Sequence, residues 1–221
     1  MSEQIDCFYA NGLTLQQFTN LQSLMLCGVG VNHMLDRIQI ALPQLPHITH
    51  LTLDYCTLGY NRVTILPLIN IIWSLPKLSY CYFINSITFC HDQALFVPPT
   101  VASSTITHLT IWNIDDPYCE MAALFEQTPY LQHFSVSAWT YYPDFRLTSS
   151  VPSIITLKIS GFPYKTVCDL LQRLPNLSHL YLGANNSDDH QQWEELIGDF
   201  LPKLKKCQFN GRLLKKELLK N

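Results

Sequence analysis

Charge is scarce in this chain. Of its 221 residues, 14% are Asp, Glu, Lys or Arg, where about 25% is usual in soluble domains. A net charge of −3 supplies no basic field for nucleic acid or for an anionic membrane surface. Long apolar runs are missing too. A membrane helix needs roughly 20 apolar residues, and the densest run here, Val63 to Leu75, is cut by Pro67 and by polar residues. The N-terminus, Met1 to Asp6, has neither the basic start nor the apolar stretch of a signal peptide. Those absences make the cytosol or the nucleus the expected compartment. Eight cysteines are present but no Cys-x-x-Cys, so a structural zinc site has no support. Gly-x-Ser-x-Gly, His-Glu-x-x-His and a phosphate-binding Gly-rich loop are all lacking. No catalytic, cofactor-binding or metal-ligating residues are therefore expected, and the chain does not read as an enzyme.

What is present is a repeated phrase, apolar–x–x–apolar–x–apolar, written eight times. Its triplets are Leu21/Leu24/Leu26, Ile48/Leu51/Leu53, Leu78/Cys81/Phe83, Ile106/Leu109/Ile111, Leu131/Phe134/Val136, Ile154/Leu157/Ile159, Leu177/Leu180/Leu182 and Leu204/Cys207/Phe209. Successive copies lie 27, 30, 28, 25, 23, 23 and 27 residues apart. A period in the twenties with this core is the mark of a leucine-rich repeat solenoid. The last two apolar positions of each copy are one residue apart, which puts both side chains on one face of a short strand. Connections of about 20 residues suit crossovers between parallel strands rather than hairpins. The predicted fold is α/β: a right-handed β-α superhelix, ribonuclease-inhibitor-like, of about eight irregular repeats with a concave parallel sheet. Residues 19–209 form the repeat domain, residues 1–18 a flank or partial capping repeat, and residues 210–221 a basic cap. Residues 4–10 are expected to add a partial strand at the first edge.

Several connections read as helices. Val167, Leu170, Leu171 and Leu174 are spaced i, i+3, i+4 and i+7, and Trp193, Leu196, Ile197, Phe200 and Leu201 repeat that spacing. Met34, Leu35, Ile38 and Leu42 predict an earlier helix, and Met121, Leu124 and Phe125 a short one. Prolines 46, 76, 129, 175 and 202 stand just before strands, where they end a helix and bias the preceding residue to extended geometry. Phe89 to Ser104 and Ser137 to Ser150 lack a helical pattern, so extended chain or 3₁₀ turns are expected there. Cys81 and Cys207 occupy core positions of the phrase, which fits buried free thiols in a reducing compartment.

The run Ile48-x-x-Leu51-x-Leu53-x-x-Cys56-x-Leu58 resembles the cysteine-containing repeat of F-box/leucine-rich-repeat proteins. The irregular period and the Leu-Pro-x-Leu-x-x-Leu openings at 174–180 and 201–207 are similar to that group as well. This resemblance implies a substrate-recognition subunit of a cullin–RING ubiquitin ligase, with an F-box of some 40 to 50 residues before the repeats. Met1 to Phe18 lacks the Leu-Pro-x-Glu opening of an F-box. Docking on ligase components is thus expected only if an F-box lies upstream. The alternative is a stand-alone leucine-rich repeat scaffold or inhibitor with no ligase link. Either way the implied partner is a protein, held by a monomeric chain, with no nucleic acid and no membrane.

Residues flanking the inward pair face the other side of the sheet. They form three columns, and His, Tyr and Trp recur in them, the residue types of a recognition surface. The candidate partner-binding residues are His50, Tyr80, Tyr82, His108, Trp112, His133, Lys158, His179 and Tyr181, centred near Tyr80, Tyr82, His108, Trp112 and His133. His108 and His133 hold equivalent positions in adjacent copies, so their Cβ atoms should be about 5 Å apart. Such a pair reads either as two solvated histidines or as a metal-binding or pH-sensing pair. Half of the 14 basic residues follow residue 202. Lys203 to Lys220, with Leu213, Leu214, Leu218 and Leu219, read as a short amphipathic helix that gives the last repeat its polar cover, in preference to a site for an anionic partner such as nucleic acid or lipid headgroups. Asp188, Asp189 and His190 read as a helix N-terminus rather than an acid–base cluster.

Overall fold

Every copy of the phrase becomes one strand. The computed structural model describes residues 14–29, 34–56, 62–84, 97–114, 121–138, 147, 149–183, 201–210 and 212–213. The strands are β1 Ser23–Cys27, β2 His50–Asp54, β3 Tyr80–Ile84, β4 His108–Ile114, β5 His133–Ala138, β6 Thr156–Ser160, β7 His179–Leu182 and β8 Lys206–Phe209. They form a single open sheet in sequence order. All seven pairings from β1 to β8 are parallel. A ninth strand, β9 (Arg212–Leu213), pairs antiparallel with β8. The amphipathic helix expected after Lys203 is therefore not what covers β8 first. Lys206–Phe209 and Arg212–Leu213 are spent on two antiparallel strands, and residues 211 and 214–221 lie outside the described residues.

Alternation decides which face is buried. Leu51, Cys81, Leu109, Phe134, Leu157, Leu180 and Cys207 make one ladder of shielded side chains, and Leu53, Phe83, Ile111, Val136, Ile159, Leu182 and Phe209 make the second. Each fully buried side chain of this size stabilises by about 1.5–3 kcal/mol. β1 is the weaker end: Leu24 is half-buried and Met25 is 59% exposed.

Behind the sheet lie α1 (Met34–Ala41), α2 (Arg62–Trp73), α3 (Met121–Glu126) and α4 (Tyr164–Leu171). Three of the four stand where helical spacing predicts them. α2 does not announce itself in the sequence, because Pro67 interrupts its run. Pro67 is nevertheless accommodated on the exposed side, while Ile65, Leu68, Ile69, Ile72 and Trp73 face the core. At its end Trp73 Nε1 donates to Thr128 Oγ1 at 3.0 Å, and that hydroxyl donates to Leu124 O at 2.8 Å. Thr128, wholly buried, is thereby satisfied. The helices expected around Trp193, and Asp188 to His190 before it, lie outside the described residues.

The prolines do more than stop helices. Ile48, Leu131, Leu177 and Leu204 each donate their N–H to the carbonyl three residues back, at Leu45, Thr128, Leu174 and Leu201. Pro46, Pro129, Pro175 and Pro202 hold the second position of these turns, where a fixed φ near −65° is already correct. The connection before β4 is irregular as predicted over residues 97–104. Asn70 ties it down by exchanging two 2.9 Å hydrogen bonds with Thr100.

A candidate binding face of the sheet

Register on the outward side follows from the same pairing. His50, Tyr80, His108, His133, Thr156, His179 and Lys206 are successive partners in one row across β2 to β8. Thr52, Tyr82, Thr110, Ser135, Lys158, Tyr181 and Gln208 form the next row. Eight of the nine sequence-predicted residues therefore share one side of the sheet, and Trp112, the partner of Ile84 two residues beyond Thr110, continues that side on β4.

In the first row four rings are stacked. His50 and Tyr80 have ring centres 4.2 Å apart, Tyr80 and His108 4.1 Å, and His108 and His133 4.0 Å. The strand spacing of about 4.8 Å nearly matches an aromatic stacking distance, so equivalent rings on neighbouring strands fall into contact. The inner faces of the row are consumed by one another, and the edges remain for solvent or a partner.

Hydroxyl residues orient three of the histidines. Thr49 Oγ1 is 3.0 Å from Gln22 O and 2.8 Å from His50 Nδ1. Thr107 Oγ1 bridges Ser79 O and His108 Nδ1 in the same way, at 3.3 and 2.9 Å. Ser178 Oγ does so for Ile155 O and His179 Nδ1, at 3.0 and 2.8 Å. A hydroxyl has one proton to give. With that proton on the carbonyl, Nδ1–H becomes the donor to oxygen, and Nε2 is left as an acceptor on the far edge. Burial and the neighbouring His133 and His50 push the His108 pKa down to about 4. Burial, helped by His179, lowers that of His133 as well. Both imidazoles are thus neutral at pH 7. No group of three or more His, Cys, Asp or Glu among the described residues has the arrangement to hold a metal ion.

Trp112 is placed by an irregularity. Between Ile111 and Ile114, β4 carries one residue more than β5 does between Val136 and Ala138, and such a bulge re-aims the side chain it carries. Trp112 Nε1 donates to Ser135 Oγ at 3.3 Å, one strand over. Lys158 Nζ, two strands over, lies 5.2 Å from the Trp112 ring centre. Lys206 Nζ is likewise 5.2 Å from the ring centre of Tyr181.

Beside the stacked rings runs an open trough of about 530 Å³, lined by residues of β3 to β8. Tyr82, His108, His133, Lys158 and Tyr181 line it, but His50, Tyr80, Trp112 and His179 do not. Of the expected centre, Tyr82, His108 and His133 line the trough and Tyr80 and Trp112 do not, and the trough runs on from there to β8. Gln208 and Gly183 also line it and carry no cue in the sequence beyond their register. At Gly183 a Cβ would come 2.4 Å from Ser160 Cβ, so glycine there lets neighbouring strands approach closely. Lys206 stands in the basic tail, and register rather than charge pattern puts it on this face.

None of the described cysteines lines the trough. Cys27, Cys56, Cys81, Cys168 and Cys207 are not in disulfides, and burial pushes the Cys207 thiol up to about 12. Among the described residues no helix is long and apolar enough to cross a membrane. Comparison with known proteins adds no assignment: no family model and no curated protein matches the chain.

Proposed function

We propose that this chain is a leucine-rich repeat module that binds another protein on the outward, concave face of its sheet. The observation that carries the reading is the row of stacked rings beside an open trough, both on one side of eight parallel strands. Part-exposed Tyr and His held in a rigid stacked row lose little side-chain entropy on binding, which is what an interaction hot spot requires. Concave solenoid faces serve as extended binding surfaces. The repeat pattern supports a role like that of the substrate-recognition repeats of F-box ubiquitin ligase adaptors, acting in the cytoplasm or nucleus. A stand-alone scaffold or inhibitor is the competing role, and both are binding roles rather than catalytic ones.

Affinity purification from cells, comparing wild type with a Tyr82→Ala/Tyr181→Ala variant, tests the face. Proteins bound through it should be lost from the variant while its melting temperature stays close to wild type. A partner set identical for both chains would reject the face. Co-purification of a cullin and its adaptor with the full-length gene product separates the two roles: recovery favours the ligase setting, and partners without them favour the scaffold.

A further inference from the structure

The outward face is not uniform in charge. Lys158 on β6 and Lys206 on β8 both belong to it, and among the described residues no carboxylate pairs with either. Among the described residues no acidic one lines the trough. Of the described acidic residues, Asp36, Glu126 and Asp169 stand on α1, α3 and α4, away from the sheet, and Asp54 stands on β2, outside the trough. Among the described residues the charge beside the trough is therefore positive, in a chain of net charge −3.

Size and ring geometry narrow the occupant. Six strands line the trough, which makes it about 24 Å long at strand spacing. An extended peptide at ~3.3 Å per residue fills that with about seven residues. The two lysines are two strand steps and two residues along the strand apart, about 12 Å, within reach of carboxylates three or four residues apart on such a segment. Single-stranded nucleic acid binds by stacking bases on free aromatic faces. Here the inner faces of the row His50, Tyr80, His108 and His133 are covered by one another, and one face each of Trp112 and Tyr181 is taken by a lysine, which leaves no run of free faces for successive bases.

We propose that the trough across β3 to β8 seats an acidic, extended peptide segment of the partner, its carboxylates taken by Lys158 and Lys206. This rests on the reading of the face as a protein-binding surface, and it names the chemistry that surface selects. The aromatic edges and the neutral imidazoles supply contact area and acceptors, and the lysines supply the selection by charge.

Selection of short random peptides displayed on phage, against the full chain, tests it. Recovered peptides should be rich in Asp and Glu. As labelled synthetic peptides they should lose roughly three- to tenfold in affinity on Lys158→Gln/Lys206→Gln, the effect of removing two exposed ion pairs. A Lys158→Glu/Lys206→Glu variant, folded by circular dichroism, should select basic peptides instead. Peptides that lack acidic enrichment, bind through Tyr82 and Tyr181, and ignore both lysine variants would overturn the acidic-segment proposal while leaving the face intact. Failure to recover any peptide dependent on the face would overturn both. Tighter binding of an oligothymidine or of phosphatidylserine vesicles than of the acidic peptides would also overturn it.

Discussion

On one side of β4 and β5, Leu109, Ile111, Phe134 and Val136 are shielded to within 1%. On the other side of the same strands His108 and His133 stack at 4.0 Å with their edges open, beside a trough. Backbone, register and strand length are shared, so the two faces differ only in what each position demands. The buried face demands volume without polarity, and Leu, Ile, Val, Phe or Cys meets the demand in turn. The open face demands almost nothing of the fold, which leaves its residue order free to be set by a partner. A specific row such as His50, Tyr80, His108 and His133 is therefore more informative than the ladder of leucines behind it.

Core truncation should break the comparison most strongly. Phe134→Ala removes a side chain that is 1% exposed and packs edge-on against Phe125 at 5.2 Å. It should cost about 3–5 kcal/mol in urea denaturation. Thr110→Ser, one strand away on the open face, should stay within about 0.5 kcal/mol of wild type. Comparable losses at the two positions would mean that the faces are not distinct in energy.

Period two made the strands legible, because eight copies repeat one rule and the buried member of each pair follows from it. The side of the sheet on which His50, Tyr80, Lys158 and Tyr181 lie was legible for the same reason. α2 was not, since Pro67 reads as a breaker in one dimension and is harmless on an exposed side. Nor was the position of the trough, which depends on volumes that periodicity does not encode. The missing side chain at Gly183 and the bulge that turns Trp112 toward β5 and β6 are examples. β9 escaped notice because lysines and leucines in a tail suit a helix as well as a strand.

The two glycines next to the trough sharpen the contrast at an intermediate scale. Gly161 has φ +81°, and a Cβ there would meet Ala138 O at 2.0 Å, an obstacle of backbone. Gly161→Ala should cost about 2 kcal/mol or more, since left-handed strain adds to the clash. At Gly183 the obstacle is a side chain, Ser160 Cβ. Ser160→Gly should therefore recover part of the loss from Gly183→Ala and none of the loss from Gly161→Ala. Thermal denaturation of the two double-mutant cycles reads this directly. Equal rescue at both positions would show that the crowding is not what the two glycines relieve.

The smallest effect belongs to the open face itself. Tyr80 and His108, stacked at 4.1 Å, should couple by about 0.5–1.5 kcal/mol in a double-mutant cycle at pH 7. The stability that His108 contributes should depend on pH with a definite sign. In the fold the His108 pKa is about 4, below its ordinary 6.5, because burial, His133 and His50 all oppose its charge. A lowered folded-state pKa means that the unfolded chain binds the proton more readily. The contribution is therefore fully present above pH 6.5 and is lost as pH falls from 6.5 through 4. An NMR titration of the imidazole should give a midpoint well below 6.5, and His133→Gln should raise it by removing one neighbour. A midpoint at or above 6.5 would mean that the rings stand apart in solution, and the row would then be separate side chains rather than one stacked surface.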